Sequence, residues 1–256
     1  MKSLYLDKNF AEFWNDRTGD FGGFFKRLIL DPLMFKIAGS MGGKTILDLG
    51  CGNGYLAPKF IDCNPAKLIL LDISEHNLEN AKKKCDDPRI EYIVQDVTKK
   101  WDIAGDSLDL IYSSFLLNEI ESIDMAVNEA SRTLCKGGKF IFSVTHPSWD
   151  LFIFAQEQAG KESKKMKGLG GYFQRGIAEF IMDNRLINDP KLAEKYNQKF
   201  KVSHYHRTVS DYFGELTRAG FKVNNLYEPE LTDEFLKQND KFSVDYPIAL
   251  VFACEK

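Results

Sequence analysis

Residues 46–54 read Ile46-Leu47-Asp48-Leu49-Gly50-Cys51-Gly52-Asn53-Gly54. The apolar run predicts a buried parallel strand over 44–49, followed by a three-glycine turn and a helix from near Tyr55. Glycines at alternate positions let the backbone take positive φ and approach a ligand closely. Their place, at the carboxyl end of the first strand, is where open α/β sheets bind ligands. Asp48 narrows the ligand. A carboxylate just before the loop repels a pyrophosphate but suits a group carrying an ammonium. The dinucleotide-binding alternative needs its third glycine one residue later, where Tyr55 stands.

Three further segments follow in order. Leu68-Ile69-Leu70-Leu71-Asp72 is an apolar strand ending in an acid, placed to take two ribose hydroxyls. Ile90-Glu91-Tyr92-Ile93-Val94-Gln95-Asp96 ends in another acid, suited to an adenine amino group, and Leu108-Asp109-Leu110-Ile111-Tyr112-Ser113-Ser114 opens into a loop. A Lys136-Gly137-Gly138-Lys139 turn then precedes the strand Phe140-Ile141-Phe142-Ser143-Val144. Across residues 44–146 the glycine loop, Asp72, Asp96 and Asp109 resemble, in order and spacing, the motifs of class I S-adenosylmethionine (SAM)-dependent methyltransferases. The resemblance implies an α/β, doubly wound, Rossmann-like seven-stranded sheet, with strand seven antiparallel between strands five and six. It implies SAM as methyl donor and S-adenosylhomocysteine as product. The implied cofactor contacts are Asp48, Gly50, Cys51, Gly52, Asn53, Gly54, Asp72, Ile73, Asp96, Val97 and Ser113. The stretch from Tyr205 to Pro229 further resembles a subgroup related to the ubiquinone/menaquinone biosynthesis methyltransferases, which points to a small-molecule acceptor.

Composition bounds the alternatives. A chain of 256 residues with 44% hydrophobic content can close a full core, and is read as one methyltransferase domain over 1–256. Its start lacks an apolar signal region, and no apolar run approaches the roughly 20 residues of a membrane span. Five cysteines, odd in number and without a C-x-x-C pair, read as reduced thiols of a cytoplasmic protein, with Cys51 packing rather than reacting. A net charge of −3 argues against general nucleic-acid binding.

Residues 1–43 read as an N-terminal helical cover. Phe10, Phe13 and Trp14 fall on one face of a short helix and are expected to cover the sheet, while Trp14 could close over cofactor or substrate. Asp31-Pro32 opens a second helix. Core helices are expected near 55–61, 75–85, 119–134 and 210–219. Residues 147–207 form an insertion far longer than the usual connection of about 2–6 residues. Residues 151–207 carry eleven basic and six acidic side chains. That surplus fits a solvated face, or a lid attracting an anionic acceptor such as RNA. The lid reading places Trp149 and Tyr172 at the acceptor and a mobile loop at 160–171.

Methyl transfer from a sulfonium needs an aligned nucleophile and little else, and a base only where the acceptor must lose a proton. The Asn/Asp-Pro-Pro-aromatic motif, the Pro-Cys nucleophile and the Asp/Asn magnesium ligands of other subclasses are absent, so no metal is expected. Glu119 and Glu121 read as helix-start residues. His146 and His206, after the fifth strand and before the last helix, are the candidate bases or positioning groups. His204 and His206 share one face of an extended segment. Arg207 could bind an acceptor carboxylate or pair with an acid of the last helix. The leading reading is a small-molecule methyltransferase acting on oxygen, nitrogen or carbon. The alternatives are an RNA-modifying enzyme and a non-catalytic SAM-binding protein.

Overall fold

The computed structural model describes residues 4–149, 171–182, 190–238 and 247–256. The loop expected at 160–171 lies, apart from Gly171, outside the described residues. A single seven-stranded sheet organises the chain: β1 (Thr45–Leu49), β2 (Lys67–Asp72), β3 (Ile90–Val94), β4 (Leu108–Ser114), β5 (Leu134–Thr145), β8 (Lys222–Tyr227) and β9 (Ala249–Glu255). Its order is β3-β2-β1-β4-β5-β9-β8. Strands β1 to β5 pair in parallel, and β9 runs antiparallel between β5 and β8. This is the doubly wound order, reversing direction beside β1, where such sheets form a ligand crevice.

Both faces of the inner strands β2, β1, β4, β5 and β9 are largely buried, which is why they read as apolar runs, while the edge strands β3 and β8 are more exposed. Alternate residues serve opposite faces. Leu47, Leu49, Ile111, Phe140 and Phe142 pack with Ala126, Val127 and Ala130 of the helix Asp124–Thr133 and Tyr212 and Leu216 of the helix Val209–Arg218. Ile46, Leu68, Leu70 and Tyr112 pack on the other face with Met34, Phe60, Leu78 and Ala81, from the helices Asp31–Ala38, Ala57–Asp62 and Glu75–Lys84. In chain order, with the first helix Lys8–Thr18 as α1, these are α2 (Asp31–Ala38), α3 (Ala57–Asp62), α4 (Glu75–Lys84) and α5 (Asp124–Thr133). They are followed by α6 (Pro190–Glu194), α7 (Val209–Arg218) and α8 (Asp233–Gln238). No described helix is long and apolar enough to cross a membrane.

Two expectations are corrected. The helix expected from residue 119 begins at Asp124. Phe115 takes φ +59° at the end of β4, turning the chain into a loop that carries Glu119 and Glu121. The aromatic face of α1, expected to lie on the sheet, packs elsewhere. Within the insertion, β6 (Gly176–Met182) and β7 (Phe200–His206) form an antiparallel ribbon. Phe10 and Phe13 bury against Met182, Tyr196, Phe200 and Val202 of that region, with Phe200 5.1 Å from Phe10 and 5.0 Å from Phe13 between ring centroids. N-terminal cover and insertion therefore share one small core. Asp16 reinforces it, accepting from Tyr196 Oη at 2.7 Å and pairing with Lys195.

Candidate functional site

The crevice is built by the carboxyl ends of β1, β2 and β4. Gly50 and Cys51 donate backbone N–H groups to the Leu71 carbonyl at 2.8 and 3.0 Å, folding the loop against β2. Gly50, Gly52 and Gly54 all have φ between +56° and +73°. Each glycine meets a different neighbour. A Cβ on Gly54 would stand 2.4 Å from the Ala81 Cβ, so the loop's end packs directly on α4. A Cβ on Gly50 would press on Leu116, whereas at Gly52 it would stand 3.7 Å from Trp14 Nε1. Trp14 thus hangs above the loop while Leu116 rests on it.

Asp72 is buried and fixes the turn. Its Oδ2 accepts the Gly52 N–H at 2.9 Å, and its Oδ1 accepts from Ser74 N and Asn77 Nδ2. Burial raises its pKa, with these three donors pulling the other way. Asp48 is held at about 7, first by burial and then by Asp72 and Asp31, against the lowering effect of Lys26. Such a carboxyl is short of positive charge, and a bound cation beside it would be stabilised. Asp96 lies half-buried with both its bonds, from Thr98 N and Oγ1, on Oδ1. Ile73 is half-buried beside Asp72, and Val97 is a core residue. Ser113 is fully buried, its hydroxyl donating to the Leu49 carbonyl at 2.8 Å and tying β4 to β1. The Cys51 thiol is pushed well up by burial, which leaves little thiolate for nucleophilic chemistry. Asp109 lies at the opposite end of the sheet, accepting the Thr45 N–H at 2.8 Å.

Asn53 couples the loop to the N-terminal cover, its Nδ2 donating to Asn15 Oδ1 and the Gly19 carbonyl. Arg17 stacks on Trp14 at 5.0 Å. Lys26 sits over the Tyr55 and Phe115 rings, close enough to Asp31, Asp48 and Glu119 to be influenced by each. Buried Arg17 Nε and Asn53 Oδ1 have no hydrogen-bond partner among the described residues. A polar ligand carrying an ammonium, ribose hydroxyls and a carboxylate fits this chemistry.

The histidines and the arginine fall away from the expected pattern. His146 Nδ1 bonds Ser148 Oγ at 2.6 Å and Nε2 bonds Glu228 Oε1 at 2.8 Å, two strands across the sheet from β1. His206 Nε2 donates to the Tyr172 carbonyl, and Tyr172 Oη accepts from Val209 N at the start of α7. Trp149 is buried beside His146, its N–H bonded to the His146 carbonyl. Arg207 is a clamp rather than a free cation: its guanidinium donates to the carbonyls of Leu117, Tyr205, Ile120 and Glu121. The residues beside the crevice that sequence reasoning missed are Tyr5, Arg17, Lys26, Glu119 and His204. Glu119 and His204 pair at 2.8 Å, and Tyr5, its pKa raised first by burial, lies close enough to Glu119 for the carboxylate to raise it further. The described residues hold no cluster suited to a metal ion.

Known proteins resemble the chain in domain and fold. Residues 47–142 match a family model described as a methyltransferase domain. An uncharacterised Haemophilus influenzae protein is 27% identical over 98% of this chain and 95% of its own length. Malonyl-[acyl-carrier protein] O-methyltransferase 1 of Ilyobacter polytropus is 32% identical over 54% of this chain and 51% of that protein, so the chain spans about half of it. The crystal structure of a SAM-dependent methyltransferase from Mesorhizobium loti superposes with a TM-score of 0.68 at 24% identity, covering 91% of this chain and 99% of the other.

Proposed function

Because this chain belongs to the class I SAM-dependent methyltransferases, we propose that it methylates an oxygen, nitrogen or carbon nucleophile of a small molecule. SAM supplies an electrophilic methyl group on a sulfonium. In this reading Asp48 receives the ammonium end, Asp72 the ribose hydroxyls, and Asp96 the adenine amino group through the oxygen opposite its Thr98 bonds. Gly50 to Gly54 form the floor. The single observation that carries the reading is the Asp72 carboxylate clamping the Gly52 N–H at 2.9 Å, which joins the ribose acid to the glycine loop in one rigid unit. A small acceptor is supported by the side chains over the loop: Trp14 beside Gly52, with Tyr5 6.0 Å from it between ring centroids, and Leu116 on Gly50. The residues around 147–207, with the β6–β7 ribbon docked on α1, act here as the acceptor's cover and exclude water.

The test is ligand stabilisation. S-adenosylhomocysteine should raise the melting temperature by mass action, adding about 2.7 kcal/mol of stability at one hundred times its dissociation constant, while NAD leaves it unchanged. Stabilisation by NAD alone would overturn the reading. Turnover confined to RNA, with affinity falling steeply in salt, would move the acceptor to nucleic acid.

A further inference from the structure

We propose that Glu119 takes the proton of a protic acceptor, a hydroxyl or an ammonium, and that His204 and Tyr5 hold its carboxylate in place for that purpose. This rests on the methyltransferase reading above and deepens it. The segment after β4 is fixed far more firmly than a loop of its length requires. Arg207 gathers the carbonyls of Leu117, Ile120 and Glu121, and Asn118, only 1% exposed, accepts Tyr205 N on its carbonyl at 2.7 Å. Glu119 stands in the middle of this clamp. Its Oε1 meets His204 Nε2 at 2.8 Å, both side chains being 13% exposed, and Asn118 Nδ2 approaches the same oxygen at 3.4 Å. Tyr5 lies beside it on the N-terminal side, within the field of the carboxylate. Three segments remote in sequence thus converge on one carboxylate.

Its position points at the crevice. Tyr5 is within electrostatic reach of Asp72 and Arg17, and Lys26 within reach of both Asp48 and Glu119. Leu116, three residues before Glu119, covers Gly50. The charged and titratable groups facing Glu119 are therefore His204 from β7, Tyr5 from the N-terminal cover, with Arg17 behind it, and Lys26 from the helical segment Lys26–Leu30 before α2. The step balances simply. The acceptor's lone pair forms a bond to the methyl carbon as the carbon–sulfur bond breaks with its electron pair on sulfur. The proton of the acceptor passes to the Glu119 carboxylate. A hydroxyl acceptor, a sulfonium and a carboxylate become a methyl ether, a thioether and a carboxylic acid. An ammonium first gives one proton to Glu119, which frees the nitrogen lone pair, and ends as a methylammonium of the same charge. An acceptor that is itself a carboxylate has no proton to give and is repelled.

Three probes of similar size separate the possibilities on the intact protein saturated with S-adenosylhomocysteine: phenol, benzylamine and benzoate. Calorimetry should find phenol or benzylamine bound about tenfold or more tightly than benzoate, the preferred probe telling hydroxyl from amine acceptors. Glu119→Gln should abolish that preference while S-adenosylhomocysteine binds with unchanged affinity. Glu119→Asp should retain part of it. His204→Leu should weaken the favoured probe and His204→Gln restore it, a rescue that a purely structural role would not produce. A preference for benzoate, or probe binding that does not differ between the wild type and Glu119→Gln, would overturn the proposal. Failure of S-adenosylhomocysteine to bind the wild type would instead overturn the cofactor reading on which it rests.

Discussion

The floor and the roof of the crevice are built on opposite plans. The floor is nine consecutive residues, Ile46 to Gly54, whose backbone needs are local: positive φ at three glycines and a carboxylate to hold the turn. The roof is assembled from Tyr5, Trp14, Glu119, His204 and Arg207, which come from segments far apart in sequence. The floor tolerates little, since each glycine has positive φ and two of the three would press a Cβ on a neighbour. The roof can be rebuilt by changing pairs of residues without touching the floor, so acceptor choice can diverge while cofactor binding is kept.

The largest effect that sharpens this contrast is Gly54→Ala. Its Cβ would stand 2.4 Å from the Ala81 Cβ and 2.8 Å from the Ala81 Cα, at φ +68°. Overpacking and left-handed strain together should cost about 2–5 kcal/mol in urea unfolding. Gly137→Ala has φ +78° but open space, and should cost only about 1–2 kcal/mol. Equal losses at the two positions would mean that the floor is not specially tight.

Next comes Asp72→Ala, which should weaken SAM binding by about tenfold to a hundredfold as charge-assisted bonds are lost. From sequence alone Asp72 reads as a cleft residue without a folding role, but it is buried and satisfies Gly52 N, Ser74 N and Asn77 Nδ2. Stability should therefore fall as well, by about 1–3 kcal/mol for the donors left unpaired. Unchanged affinity in the folded variant, measured by calorimetry, would remove Asp72 from the ribose.

Asn53→Ala cuts the joint between floor and roof. Losing its bonds to Asn15 and Gly19 should cost about 1 kcal/mol and speed amide exchange in α1 more than in β1. Uniform acceleration across both elements would mean that floor and roof open as one unit.

The smallest effect is that of pH. Asp48 at about 7 and Asp31 at about 6 are both raised by burial above the unfolded carboxyl value. The folded state then holds protons that the unfolded state has released. The contribution of these two groups to stability is full below about pH 4 and is lost as pH rises to about 7. A cation bound beside Asp48 favours the carboxylate, so SAM affinity should rise, by less than about tenfold, between pH 6 and 8. Calorimetry in two buffers of different ionisation enthalpy should record proton release on binding near pH 6.5. Proton uptake would contradict the placement of the ammonium at Asp48.

Much of the floor was legible because its signals are short-range. Apolar runs at β1, β2 and β4 announce strands buried on both faces, and the acids Asp48, Asp72 and Asp96, at or just past the carboxyl ends of β1, β2 and β3, announce the crevice. The roof was not legible for physical reasons. Arg207 bonds backbone carbonyls, which have no signature in a sequence, so its charge suggested a carboxylate partner. Glu119 read as the start of a helix, but Phe115 at φ +59° holds the chain after β4 in a loop over Gly50, and the helix begins only at Asp124. Alternation placed His204 and His206 together, whereas their partners, Glu119 and the Tyr172 carbonyl, come from different segments. Phe10 and Phe13 gave the helix correctly and its packing surface wrongly, since periodicity reports a buried face and not its neighbour.

Lys26 gives the crevice one more property. Its ammonium lies over the Tyr55 and Phe115 rings within the field of Asp31 and Asp48, so the free protein already houses a cation where the reading above brings another. An incoming ammonium there meets acids whose field Lys26 already offsets in part. The net attraction it gains is correspondingly smaller than beside isolated carboxylates. Affinity should consequently vary little with ionic strength. Discrimination among adenosyl compounds falls to the shape and hydrogen bonds of the ribose and adenine ends rather than to charge.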